Sequence, residues 1–279
     1  LSYDEAVALL GQLETDTVTA RVTTEIEVDL NRETENVIAD LPTTGKVKNA
    51  DQVVVVGAHL DSVTAGPGIN DNGSGSATIL EIAQEMSQLK LTKKLERPVR
   101  FAFWGAEESG LLGSEHYVAA LSDANRAKIY ANLNFDMLGS PNYVRFVYDG
   151  DGSNGGESGP PGSAQIEGVF NDYFGAKGLT SEPTDFDGRS DYGPFIAAGI
   201  PAGGLFSGAE GIKTPEEAVA YGGTANAPYD SCYHQACDTI TNLSTNALNE
   251  LGDAAAHATY VLTMSKQGLF GDGNRKAPK

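Results

Sequence analysis

Only four histidines occur in the 279 residues, and two of them stand among acids. His59 lies in Gly57-Ala58-His59-Leu60-Asp61-Ser62, and His234 follows Tyr233 in an acid-rich loop. Carboxylates recur in three further strings. Asp71 lies in Gly68-Ile69-Asn70-Asp71-Asn72-Gly73-Ser74-Gly75, Glu107 and Glu108 in Trp104-Gly105-Ala106-Glu107-Glu108, and Asp136 in Asn134-Phe135-Asp136-Met137. A mixed imidazole and carboxylate donor set suits Zn²⁺ and some other first-row ions, whereas Ca²⁺ and Mg²⁺ prefer all-oxygen shells. Two histidines with Asp71, Glu108 and Asp136 exceed one tetrahedral zinc but suffice for two that share a bridging carboxylate. Glu107 is then left over beside the metals, where an activated water needs a general base. His116 and His257 fall inside helical patterns and read as ordinary helix positions.

Competing motifs are weaker. Asn70, Asn72, Ser74, Gly75 and Glu81 follow the spacing of a calcium-binding helix-loop-helix, but position one is Asn and Pro67-Gly68 stands where the entering helix belongs. Gly150, Gly152 and Gly155 form a formal Gly-x-Gly-x-x-Gly, yet prolines follow where a phosphate-binding helix would begin. No serine has glycine at both flanking second positions, so a nucleophile elbow is absent.

The elements that must position these residues alternate along the chain. Apolar strands are expected at 36–39, 53–57, 99–104, 131–136 and 144–148, and helices at 74–90, 111–121, 164–177, 215–221 and 245–265. Such alternation predicts a largely parallel sheet covered on both faces. In such sheets, ligand sites form at the carboxyl ends of the strands. Three successive strand ends each deliver a histidine or a carboxylate to one rim, and a charge at the end of a central strand is costly unless paired or bound to a cation. Residues 3–13 read as a helix, residues 15–30 as one or two strands, and residues 150–162 as an exposed loop.

Composition excludes some partners. With 38 acidic against 19 basic side chains, the formal charge of −19 opposes encounter with nucleic acid or an anionic membrane. No apolar run approaches the roughly 18 residues of a membrane span. A chain beginning at Leu1 without Met reads as a processed or excised product.

Five ordered strings, at 57–63, 68–75, 104–108, 134–137 and 232–234, resemble the M28 metallopeptidases, and above all the secreted dizinc aminopeptidases of Streptomyces and related bacteria. The likeness runs from about residue 35 to 265. It implies the zinc-dependent exopeptidase fold, a three-layer αβα sandwich around a mixed, mostly parallel sheet. It further implies two Zn²⁺ per chain, with Asp71 bridging, His59 and Asp136 completing one site, and Glu108 and His234 the other. Glu107 would take a proton from the bridging water and pass it to the leaving amine, and Tyr233 would hydrogen-bond the oxyanion. The Asp71-Asn72 peptide would be cis, a costly form outside proline.

Arg189 and Phe206 match positions that line the family's substrate pocket, although Arg189 reads equally as a partner of Asp187 or Asp191. For the substrate amine, either Glu182 or Asp185 is available. Some relatives hold a structural calcium through two C-terminal aspartates; the corresponding pair here reads Asn249 and Asp253, a departure from that site. Cys232 and Cys237 bracket Tyr233 and His234, and lacking a second cysteine pair they read as a disulfide rather than zinc ligands. A persistent disulfide implies a secreted, extracellular protein. Residues 1–30 resemble the tail of an inserted protease-associated domain, leaving 31–279 as the peptidase domain. The expectation is therefore a monomeric secreted aminopeptidase acting on peptides with a free N-terminus, favouring large apolar first residues. The rival readings are a glutaminyl-cyclase-like single-zinc transferase and a non-catalytic peptidase-like binding domain.

Overall fold

The computed structural model describes residues 3–13, 15, 17, 19, 21, 23–25, 32–266 and 268–270. It divides into two units, Leu1–Glu33 and Thr34–Lys279. In the first, α1 (Tyr3–Leu13) is the helix expected there. The strands expected over 15–30 fall largely outside the described residues, and those described in that stretch are not in a strand.

Among the described residues, the second unit is built on seven strands: β1 (Val37–Leu41), β2 (Val53–His59), β3 (Val99–Trp104), β4 (Ile129–Phe135), β5 (Phe146–Tyr148), β6 (Glu182–Thr184) and β7 (Ala202–Phe206). They lie in the order β1-β3-β2-β4-β7-β5-β6. The central strands β3, β2, β4 and β7 run parallel, while β1 and β5 each pair antiparallel with a neighbour. The helices are α2 (Gly75–Gln88), α3 (Leu112–Ala120), α4 (Asp123–Arg126), α5 (Ser163–Ala176), α6 (Gly193–Ala197), α7 (Pro215–Tyr221) and α8 (Thr245–Met264). Among the described residues, no helix is long and apolar enough to cross a membrane.

Successive residues of β2 face opposite ways, and both faces are apolar because both are covered. Val54, Val56 and Ala58 join a core with Ile79 and Ile82 of α2, Ile166, Phe170 and Phe174 of α5, and Leu251, Ala255, Ala258 and Leu262 of α8. Those helical positions recur at three- and four-residue steps, so each helix buries one stripe. Val55 belongs to the opposite core, with Ala102, Trp104, Val118 of α3 and Phe195 of α6. The result is the three-layer αβα sandwich with a mixed, mostly parallel sheet.

Periodicity located five strands but missed β6 and β7. Strand β7 reads Ala-Gly-Gly-Leu-Phe, and its glycines serve close approach rather than a turn: a Cβ on Gly203 would stand 2.4 Å from Ile166 Cγ2 of α5. Register then sets the rim. His59, the last residue of β2, lies opposite Trp104, the last of β3, and Phe135 ends β4 opposite Leu205 of β7. Residues just beyond these ends are therefore delivered to one level.

Candidate metal centre and cleft

His59 closes β2 with its ring 1 % exposed. Its Nδ1 faces the Asp61 backbone carbonyl at 3.1 Å. A carbonyl can only accept, so Nδ1 carries the proton and Nε2 of the neutral ring presents a lone pair. Nε2 lies 3.2 Å from Asp71 Oδ1 and 3.1 Å from Asp136 Oδ1. On the other side of Asp71, Oδ2 lies 3.2 Å from His234 Nε2, which is also 3.1 Å from Glu108 Oε2. The five residues thus form two groups of three, His59/Asp71/Asp136 and Asp71/Glu108/His234, sharing Asp71 through its two different oxygens.

Three acceptors pointing at one another repel unless a proton or a cation sits between them. The titration behaviour carries that repulsion. Burial pulls the His59 pKa down, but Asp136 and Asp71 outweigh it and raise it well above the ordinary value. Burial, reinforced by Asp136 and only partly offset by His59, pushes Glu107 up to about 9, and burial with Asp71 pushes Glu108 up to about 7. Burial also raises Asp71, against the pull of His59. At Asp136 burial is outweighed by His59 and Ser190, and the pKa falls. Glu108 Oε1 is buried without a hydrogen-bond partner among the described residues. The donor set, the shared Asp71 and this unpartnered oxygen all fit two divalent cations.

Each of these side chains is held from behind. Asp71 and Asn70 donate their backbone N–H groups to the Asp238 carboxylate at 3.0 and 2.9 Å. The Asp71-Asn72 peptide is cis, as expected. Asn72 ties this turn to β4 by donating to Phe135 O (3.0 Å) and accepting from the N–H groups of Gly75 and Met137. Asp61 accepts from the backbone N–H groups of Glu107 (3.0 Å) and Glu108 (3.2 Å), and so holds the loop after β3 against the loop after β2. Ser190 donates to Asp136 Oδ2 at 2.6 Å. Ala106, Met137 and His234 are non-glycine residues with φ of 55°, 53° and 57°. Such left-handed conformations collect where side chains must be aimed.

Glu107, 8 % exposed, belongs to neither group of three. It lines a cleft of about 350 Å³ together with Asp71, Glu108, Asp136, His234 and Tyr233. The Tyr233 ring stacks on the His234 imidazole with centroids 3.9 Å apart. Burial and Asp71 raise the Tyr233 pKa, so its hydroxyl stays a neutral donor. The loop carrying both is closed by the Cys232–Cys237 disulfide. Cys232 N–H also donates to Asp230, whose carboxylate accepts from Asn242 and Asn70.

Phe206 lines the cleft, and so does Arg189. The alternative expected pairing of Arg189 with Asp187 or Asp191 is not formed by its side chain; its guanidinium meets Glu210 Oε1 at 2.9 Å and donates to the Tyr233 hydroxyl at 3.2 Å. Only its backbone N–H reaches Asp187 (3.0 Å). Glu210 is 21 positions away in sequence, beyond any local pattern. Of the two residues offered for the amine, Asp185 lines the cleft, whereas Glu182 accepts from Tyr221 of α7 at 3.2 Å and is not part of the lining. Asp187, which was not among the residues expected to meet the amine, joins Asp185 on that wall. Asp61, Ser190 and Asp238 were missed too. Only Asp61, two positions from His59, carried any sequence signal.

His116 and His257 are exposed helix residues, the latter beside the Tyr173 ring. Asn249 and Asp253 lie on α8, and among the described residues Asp253 joins no cluster of metal-ligating groups. One further acidic group, Asp149/Asp151/Glu167, contains no histidine, and Asp149 already accepts from the N–H groups of Gly152, Ser153 and Asn154.

Residues 36–259 match the model of peptidase family M28. An aminopeptidase of Pseudomonas aeruginosa is 54% identical over 233 residues, which cover 84% of this chain and 42% of that protein. A probable leucine aminopeptidase 2 of Aspergillus fumigatus is 47% identical over 263 residues, covering 94% and 51%. This chain thus spans about half the length of the curated relatives it matches. Among solved structures, the zinc aminopeptidase BSAP from Bacillus subtilis superposes with a TM-score of 0.65 at 30% identity, covering 83% of this chain and 50% of that one. Porphyromonas gingivalis glutaminyl cyclase, at 19% identity and a TM-score of 0.59 over 80% and 76%, shares the fold.

Proposed function

This chain belongs to peptidase family M28, and from that membership and the geometry of its rim we propose that it is a dizinc aminopeptidase that hydrolyses the first peptide bond of chains with a free N-terminus. One observation carries the reading: Asp71 presents a separate oxygen to each of two histidines, so that His59/Asp71/Asp136 and Asp71/Glu108/His234 form two sets of three ligands around one shared carboxylate. The relatives support it, since BSAP is a zinc aminopeptidase and the sequence relatives are aminopeptidases.

Zinc at these positions supplies a water of lowered pKa and a polarised scissile carbonyl. The chain's own groups do the rest. Glu107, unbound to either group of three and facing the cleft, accepts the proton of the attacking water and returns it to the departing amine. The Tyr233 hydroxyl, oriented by Arg189 and by stacking on His234, donates to the carbonyl oxygen as negative charge develops on it. Asp185 and Asp187 supply negative charge for the substrate ammonium. Phe206, Met137 and Tyr148 offer apolar surface to the first side chain, which favours large apolar residues. The 232–237 disulfide supports a secreted protein, since such bonds persist in oxidising compartments. Residues 1–30 are read as the tail of an inserted protease-associated domain.

Metal analysis alongside cleavage of leucyl substrates with free and acetylated amines tests the proposal. Two zincs per chain and release of leucine from the free amine alone are expected. One zinc with cyclisation of N-terminal glutamine would establish the transferase reading instead.

A further inference from the structure

Behind the His59–Asp136 pair, a directional chain of hydrogen bonds runs down into the sheet. The Asp136 carboxylate can only accept, so the Ser190 hydroxyl donates to Oδ2 at 2.6 Å. With its proton committed, the Ser190 oxygen accepts from Asn134 Nδ2 at 2.8 Å. That fixes the Asn134 amide: its NH₂ faces Ser190 and its Oδ1 faces the opposite way. Asn134 Oδ1 is buried with no hydrogen-bond partner among the described residues, and so are both amide atoms of Asn132 and the indole Nε1 of Trp104. These three residues are 0–1 % exposed.

Strand register brings them together. Asn132 and Asn134 of β4 lie opposite Val55 and Gly57 of β2. Val55 shares its core with Trp104, so the four positions project from the same face of the sheet. The indole fills the space of a missing Gly57 side chain, since a Cβ there would stand 2.5 Å from Trp104 Nε1. An unused N–H donor therefore sits over Gly57, the residue paired with Asn134, whose amide oxygen is also unused; Asn132 lies two positions back along β4 on the same face. Buried polar groups left by the chain in such a cluster are ordinarily satisfied by internal water, which needs two to four partners.

We propose that Asn134 is a positioning residue for Asp136, acting through Ser190, and that an internal water held between Trp104 Nε1 and Asn134 Oδ1, with Asn132 as a further partner, locks the Asn134 amide in that orientation. The water accepts from the indole and donates to Asn134, so each hydrogen bond in the series from Trp104 to Asp136 has one direction. Asp136 Oδ1 is thereby kept turned toward His59 Nε2, at 3.1 Å. The inference rests on the metal-binding reading above.

The test compares wild type with Asn134→Leu, which has a similar volume but cannot donate to Ser190. Zinc dissociation constants are measured by competition with a chromophoric chelator. Wild type should bind two zincs; the variant should keep one near its original affinity and weaken the other 10- to 100-fold, the scale of a lost outer hydrogen bond at a metal ligand. Weakening confined to one zinc, with the other unchanged, identifies the lost donation. A folded variant with both affinities unchanged or tightened would overturn the positioning role. Should the buried leucine prevent folding, a crystal structure of the wild-type protein at about 1.2 Å, where amide orientation is decided by density, answers independently. A water within hydrogen-bonding distance of both Trp104 Nε1 and Asn134 Oδ1 is expected. A dry site, or an Asn134 oxygen turned to Ser190, would overturn the proposal. A wild type that binds no zinc would instead remove the aminopeptidase reading, while the same crystal still decides the Asn134 orientation.

Discussion

Replacing Glu107 by glutamine separates proton transfer from metal binding. Glu107 is 8 % exposed, and its backbone N–H is held by Asp61, so an isosteric amide can occupy the same place. It belongs to neither group of ligands around Asp71, and neither loses an oxygen. What disappears is the base alone. Loss of a positioned general base costs about 10²–10⁴-fold in kcat, or about 3 to 5 kcal/mol at roughly 1.36 kcal/mol per decade. The same substitution removes a carboxyl whose pKa is pushed up to about 9 by burial and by Asp136, with Asp191 and Glu108 adding to it. The metal-free variant should therefore melt above metal-free wild type at pH 9, where the cost of the raised Glu107 pKa, growing from about pH 4.5 upward, is almost fully expressed. The assay is leucyl p-nitroanilide hydrolysis with zinc content measured on the same sample, and thermal unfolding with and without chelator. Activity within tenfold of wild type would refute the assignment of the base. Zinc lost together with activity would show that Glu107 is a ligand instead.

Asp71→Ala should lose both zincs together, measured as stoichiometry after gel filtration, because its two oxygens serve both groups; retention of one would show that they are independent. Tyr233→Phe should lower kcat about 10- to 100-fold with KM changed little, as expected for a donor used mainly in the transition state; a change confined to KM would assign it to substrate binding. In the metal-free protein, Glu107, Glu108 and His59 all bind protons more tightly folded than unfolded. Their stabilisation is complete below the unfolded values, near 4.5 for the glutamates and 6.5 for the histidine, and fades as pH rises through about 7 for Glu108 and about 9 for Glu107. Bound zinc takes the place of the protons on Glu108 and His59 and favours the ionised form of Glu107 beside them, so the Tm gap between zinc-loaded and chelated protein should widen from pH 5 to 9; a constant gap would contradict the carboxylate crowding. Asp185→Asn should raise KM for amine substrates several-fold while leaving zinc content unchanged, and an unaltered KM would leave Asp187 as the ammonium partner.

Local chemistry was legible wherever a property repeats within a few residues. The valines of β2 and the three- and four-residue steps of α5 and α8 disclosed elements, because burial of one face imposes a period on the chain. The donor strings were legible for a related reason: a histidine or an acid directly after an apolar strand lies at the rim of a parallel sheet, whatever else surrounds it. Strand β7 escaped because Gly203 and Gly204 carry no side chain from which to read a period. Their need is visible only against Ile166 and Asn134, which approach too closely for a Cβ.

By itself, then, the sequence determined which atoms were available: two imidazoles, four carboxylates and a phenol, set at strand ends and loops of an αβα sandwich. Only the tertiary structure decided their partnerships. Asp71 meets His234 across more than 160 positions, Arg189 turns to Glu210 rather than to the nearby Asp187, Glu182 faces Tyr221 away from the cleft, and Ser190 stands behind Asp136. Backbone propensity and hydrophobic period act over a few residues, whereas a bridging carboxylate is defined by what converges on it, and convergence is created by strand order and register.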